Sequence, residues 1–157
     1  MELNRKEFKI LKYTSGIGLP IKKLNLSIQQ LFTARWMNLS DKRRCFLKHA
    51  PGSGKTLSSL YTAKQNYELY KLLGKGRIII VGFQKKVFMD EILRNPELGF
   101  ITVNEYETLK NYEKNIINTH TEEIYKKYLN FLKKKIQSDG YILFFGYQEL
   151  YNNLFCF

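Results

Sequence analysis

Residues 46–60, FLKHAPGSGKTLSSL, constrain this chain more than any other stretch. A short apolar run meets two glycines, then a Lys-Thr pair, then helix-forming residues. That order describes a strand, a tight loop and a helix. Residues 49–56, HAPGSGKT, follow the pattern G-x-x-x-x-G-K-[S/T] except at the first position, where His49 replaces glycine. Gly52 and Gly54 let the backbone curl so that successive N–H groups face one point. Those groups and the start of the following helix form a cradle for phosphates. Lys55 supplies a point charge for the β and γ phosphates, and the Thr56 hydroxyl is a ligand for Mg²⁺. The candidate triphosphate site is therefore His49, Ala50, Pro51, Gly52, Ser53, Gly54, Lys55 and Thr56. The competing reading is a glycine-rich turn that only joins strand to helix.

The flanking sequence is that of an α/β chain. Residues 1–23 read as an N-terminal extension, broken by the turn-rich TSGIGLP at 14–20. Apolar residues spaced by three and four predict a helix in 28–39, with Ser27 as N-cap and Gln30 completing a capping box. CFLKH, 45–49, reads as a strand, and Gly54 to about Leu73 as a helix that stops at LGKG. RIIIVGF, 77–83, is a continuous β-branched run, expected as a buried parallel strand. KKVFMDEILRN follows as a helix halted before Pro96. GFITVNEYETL is expected to begin extended. Thr119 with Glu122 predicts a second capping box before a basic amphipathic helix, whose apolar side is Ile124, Tyr128, Phe131, Leu132 and Ile136. YILFFGY, 141–147, is a third buried strand, and QELYNNLF begins another helix. Strands alternating with helices imply a mostly parallel sheet flanked by helices.

Charge suggests a polyanionic partner. The 157 residues carry a formal net charge of +12. Residues 1–56 hold 12 Lys/Arg against 3 Asp/Glu, and residues 57–157 hold 14 against 11. Nucleic acid is the first expectation; a lysine-rich solvated surface is the alternative. Cys45 and Cys156 are too few and too far apart for a zinc site or a disulfide framework, and Cys45 is expected to be a small buried hydrophobe. The first residues lack the apolar core of a signal peptide, and no apolar run approaches the ~18 residues that span a bilayer. A soluble intracellular chain with no membrane partner is expected.

Hydrolysis of a bound triphosphate needs a further carboxylate at a strand end to hold Mg²⁺ through water. Asp90-Glu91 falls in a helical stretch, and Asp139 precedes its strand. Neither is placed for that role, so no catalytic residue is assigned and no hydrolysis is expected from this chain alone.

Three stretches together resemble the superfamily 2 helicase-like ATPases of large DNA viruses. QQLFTARWM places Gln30 twenty-five residues before Lys55, like the glutamine helix ahead of motif I. FLKHAPGSGKT carries the histidine seen in this viral branch. IIIVGFQKKVFMDEILRNPELGF, 78–100, resembles the motif Ia region of the poxvirus-type early transcription factor, its small subunit most closely. YILFFGYQELYNNLF resembles the strand and helix of motif Ib. The resemblance implies a RecA-like phosphate-loop domain over 24–157, lacking motif II onward, and hence an incomplete domain from a truncated or split protein. It implies ATP and Mg²⁺ as ligands, with Gln30 reading the adenine. It also implies nucleic-acid contacts from Lys85, Lys86, Tyr147 and Gln148. The partners it implies are DNA and either viral RNA polymerase or a second transcription-factor subunit. The setting would be the host cytoplasm at viral factories, or the virion.

Blander readings stand beside each of these. Gln30 is equally a helix cap, and Gln29 competes with it for the adenine role. Phe32, Trp36 and Tyr61 have stacking rings but sit at core spacing. Each lysine is individually a solvated charge. The basic stripe of Lys126, Lys127 and Lys133 to Lys135 fits a helix packed on a sheet as well as it fits a DNA contact. A non-catalytic module that binds nucleic acid or a polymerase without using ATP is the alternative function.

Overall fold

Caps, glycines and one proline set the helix ends. The computed structural model describes residues 25–38, 45–48, 50–74 and 77–153. The extension 1–23, the loop histidine His49 and Cys156 lie outside the described residues. Helix α1 (Ile28–Asn38) opens on a reciprocal cap. The Ser27 N–H donates to Gln30 Oε1 at 2.8 Å, and the Gln30 N–H donates to Ser27 Oγ at 3.3 Å. This is the capping box that the Ser-x-x-Gln spacing predicts. Helix α2 (Lys55–Leu73) runs between two left-handed glycines, Gly54 and Gly74. Helix α3 (Lys85–Arg94) ends before Pro96, which disfavours helical backbone at Asn95 and opens the single 3₁₀ turn Pro96–Leu98.

The region expected to begin extended opens with bends and turns helical from Val103. After bends at 99–101, helix α4 (Val103–Lys114) starts at Thr102, whose hydroxyl accepts the Glu105 N–H at 3.2 Å while Glu105 Oε2 accepts the Thr102 N–H at 2.8 Å. The Thr102–Glu105 pair is itself a capping-box signature. Helix α5 (Thr119–Ser138) is capped one residue earlier than expected: Asn118 is the N-cap and Thr121 the N3 residue. Asn118 serves because its short carbonyl reaches the Thr121 N–H as a threonine hydroxyl would. Helix α6 (Tyr147–Asn153) ends the described chain.

Two strands pair in parallel. β1 (Ile78–Gly82) and β2 (Ile142–Gly146) are in register from Ile78 opposite Ile142 to Gly82 opposite Gly146. The crossover between them carries α3, α4 and α5. Among the described residues the architecture is α/β but mostly helical, with a two-stranded sheet where three strands were expected. Cys45–Lys48 forms no strand among the described residues, and its four residues are exposed. A strand exists only when a neighbour completes its hydrogen bonds, and the described sheet offers this segment no ladder. Cys45 is accordingly an exposed thiol and not the buried hydrophobe expected. β1 is also less buried than its β-branched run suggests. Ile80 is buried, but Ile79 is 53% exposed.

The core lies where α2, α3, the 3₁₀ turn and α5 meet the sheet. Leu60, Ile92 and Leu132 are fully enclosed, each contributing about 2 kcal/mol of apolar burial. Phe144 of β2 faces the rings of Phe88 at 6.1 Å and Phe100 at 6.2 Å. On α5 the apolar side divides. Leu132 and Ile136 enter the core, while Phe131 and Ile124 stay exposed and Tyr128 packs against Tyr112 of α4 at 5.3 Å. The helical hairpin α4–α5 takes up part of that face, so the helix is not simply laid on the sheet. No described helix is long and apolar enough to cross a membrane.

Candidate functional site

The loop begins as a turn and ends as a helix start. The Ser53 N–H donates to the Ala50 carbonyl at 3.3 Å. Gly52 and Gly54 take φ of 77° and 76°, the left-handed region that glycine enters without a Cβ penalty. Gly54 is the N-cap of α2 and offers no side-chain cap. Gly54, as N-cap of this 19-residue helix, has no side chain with which to cap the first N–H groups, where the helix dipole favours an anion. Lys55 is exposed, and its Nζ donates to the Ala50 carbonyl at 2.8 Å, so the ammonium lies over the loop. The Ser53 hydroxyl is buried without a hydrogen-bond partner among the described residues. Thr56 is half-buried in the first turn of α2.

Gln30 reaches this loop from α1. Its Nε2 donates to the Gly54 carbonyl at 3.4 Å, while its Oε1 is used in the α1 cap. Ser58 Oγ donates to the same carbonyl at 3.0 Å. Gln29, the competing candidate, is exposed. Phe32 and Trp36 pair with each other at 5.8 Å and are half-buried on α1. Tyr61 packs against the core, and burial pushes its hydroxyl pKa up. A groove of ≈ 560 Å³ runs between α2 and β1, with Lys55, Ser59, Thr62, Val81 and Phe88 in its walls.

A second cluster forms where both strands end. Parallel pairing brings Gly82 and Gly146 side by side, so the segments that follow, 83–86 and 147–149, emerge together. Lys85 Nζ meets Glu149 Oε1 at 2.8 Å, and Glu149 Oε2 accepts the Gly146 N–H at 3.4 Å. The hydrogen bond from Lys85 is the main reason the Glu149 carboxyl lies below its ordinary range; partial burial works against it. Phe83, Lys86, Tyr147 and Gln148 are exposed around this ion pair. Gln148 Nε2 donates to Asn152 Oδ1 at 3.1 Å. The structure therefore joins Lys85, Lys86, Tyr147 and Gln148 on one edge, although 60 residues separate them in sequence. Glu149 and Phe83 belong to the same cluster and were missed. The only signal for Glu149 was its place two residues after Tyr147.

The carboxylates weighed for Mg²⁺ have other positions. Asp139 is the C-cap of α5, before β2, and Tyr67 donates its hydroxyl to Oδ2 there at 2.7 Å. Glu91 on α3 accepts Asn95 Nδ2 at 3.1 Å.

Relatives of the chain exist in African swine fever virus. Over 146 residues it is 30% identical to an early transcription factor large subunit homolog of isolate Tick/Malawi/Lil 20-1/1983, a match covering 86% of this chain and 13% of that protein. The chain is thus similar, at a distance, to a short segment of this viral protein. Proteins of the same name from isolates Tick/South Africa/Pretoriuskop Pr4/1996 and Warthog/Namibia/Wart80/1980 match at 30% over 148 residues, with the same coverages. The chain thus spans 13% of the length of the curated relatives it matches. These relatives carry the large-subunit name, where the motif resemblance pointed to the small subunit. No protein-family model matches the chain, and no solved structure matches it significantly.

Proposed function

We propose that this chain is the ATP-binding part of a viral early-transcription ATPase of the superfamily 2, RecA-like kind. The observation that carries the reading is the loop itself. Two left-handed glycines lead into the N-terminus of a 19-residue helix, and Lys55 is folded over the loop onto the Ala50 carbonyl. Residues 49–56 would surround the triphosphate with backbone N–H groups. Lys55 would exchange the Ala50 carbonyl for phosphate oxygens, and the Ser53 hydroxyl, buried and without a partner among the described residues, would gain an acceptor. Thr56 would hold Mg²⁺, which screens phosphate charge when bound. DNA would contact the exposed cationic and aromatic edge at the strand ends, through Lys86, Tyr147 and Gln148.

The test is equilibrium binding of a fluorescent ATP analogue with Mg²⁺. Saturable binding to the full chain is expected, together with its loss in Lys55→Ala at unchanged helical circular dichroism. Binding that survives Lys55→Ala would assign the loop a purely structural role. It would favour the module that binds nucleic acid or polymerase without ATP.

A further inference from the structure

We propose that the outer face of α5 is a docking surface for one helix of a partner protein, a helix with an apolar row and carboxylates beside it. The proposal is independent of the phosphate loop. It starts from a period in the sequence. Ile117, Ile124 and Phe131 stand seven residues apart, and three residues after each comes His120, Lys127 or Lys134. Seven residues make almost two helical turns, so an apolar row runs along the helix with a basic row about 60° round from it.

Both rows face away from the core. Leu132 and Ile136 form the buried side of α5, while Ile124 is 36% and Phe131 55% exposed. Ile117 precedes the helix and is exposed, but its N–H donates to Thr121 Oγ1 at 3.0 Å, which ties it to the head of the row. The Phe131 ring stacks on Tyr128 at 6.0 Å, and Tyr128 meets Tyr112 of α4 at 5.3 Å. A ring held in place beforehand loses little freedom when a partner covers it.

Charge selects the partner. Lys110, Lys126 and Lys135 are each paired with a carboxylate of the hairpin, Glu113, Glu122 and Glu105 in turn. Lys127 and Lys134 are exposed and have no ion pair among the described residues, although Glu123 stands one turn before Lys127. A helix laid on the apolar row would bring its flank against these two lysines, and carboxylates there are their complement. A second copy of the chain fits less well, because the other flank of the row, Thr121, Tyr128 and Lys135, offers no carboxylate. Nucleic acid would suit the lysines, but Ile117 and Ile124 have no ring on which a base could stack.

The experiment is fluorescence anisotropy of a labelled synthetic helix with the full 157-residue chain. The peptide carries leucines at heptad positions a and d and glutamates at e and g, whose repulsion keeps it from pairing with itself. A scrambled peptide of the same composition is the control. Saturable binding of the first and not of the second is expected. Phe131→Ala and Ile124→Ala should each weaken it about tenfold at unchanged circular dichroism, since neither side chain belongs to the core. Lys86→Ala, on the strand-end edge, should leave it unchanged. Lys127→Glu combined with Lys134→Glu should abolish binding of this peptide and admit one with lysines in place of its glutamates. No binding, equal binding of the scrambled peptide, or unchanged affinity in the α5 variants would overturn the proposal. A dimer in sedimentation that Phe131→Ala abolishes would overturn it in favour of a second copy. A single-stranded oligonucleotide that binds more tightly than the peptide, and is lost with the same α5 variants, would overturn it in favour of nucleic acid.

Discussion

Two glycines of the loop share a backbone conformation and differ in surroundings. Gly52 and Gly54 both lie in the left-handed region, but a Cβ at Gly52 would meet open space, while one at Gly54 would strike Gln30 Nε2. Gly52→Ala should therefore cost only the left-handed strain, about 1 kcal/mol. Gly54→Ala adds the displaced amide and should cost about 2–3 kcal/mol. Urea midpoints of the two variants check this, and equal midpoints would mean that Gln30 moves aside freely. At this scale the sequence is readable where chemistry is local. Ser27 and Gln30 stand three apart, and their reciprocal bonds follow from that spacing. The second bond of Gln30 spans 24 residues, and nothing in either segment announces it. Cys45 shows the opposite failure. Its apolar neighbours suggested a buried strand, but burial belongs to the partner surface and not to the segment.

At the scale of elements, end signals are the most legible part of the chain, and burial the least. The stop at Gly74 and the break before Pro96 follow from residue type alone. The cap of α5 was displaced by one residue because Asn and Thr are both good N-caps and stand side by side at 118 and 119. Asn118→Ala should lower stability by about 1 kcal/mol, and Thr119→Ala by much less; thermal unfolding of the two variants separates them. The ends of β1 and β2 are joined by the Lys85–Glu149 ion pair. Glu149 titrates below its ordinary value in the folded chain, because of the Lys85 hydrogen bond first and the Gly146 N–H second. A carboxyl depressed by folding adds stability above its unfolded value and loses it as pH falls through the folded one. Wild-type stability should therefore fall from about pH 5 downward more steeply than that of Glu149→Gln. Parallel acid limbs in denaturant titrations would show that the pair is solvated away. This pairing was not legible, because it depends on which strands are neighbours.

The whole molecule is a basic chain whose most exposed aromatic and cationic side chains include a group at one edge of a small sheet. The α/β order from 77 onward was readable because both strands are unbroken apolar runs between clear helices. Among the described residues the expected strand at 45–49 is not seen over 45–48, since strand formation is a property of the sheet and not of its residues. The net charge of +12 fits the proposal that DNA meets that edge. If so, affinity for a DNA duplex should fall linearly with salt on a double-logarithmic plot, as counterions are released. Lys86 is exposed beside Phe83 and Tyr147, so Lys86→Ala should reduce the magnitude of that slope by about one, uniformly across sequences. Lys85 differs because Glu149 already neutralises it. Lys85→Ala should change the slope less than Lys86→Ala does, and Glu149→Gln should strengthen DNA binding by releasing the Lys85 ammonium. Fluorescence anisotropy across a salt series with the three variants decides the matter. An unchanged slope in Lys86→Ala, with no gain in Glu149→Gln, would move the DNA contact away from the strand ends. It would leave the basic stretch 1–56 of the sequence to test next.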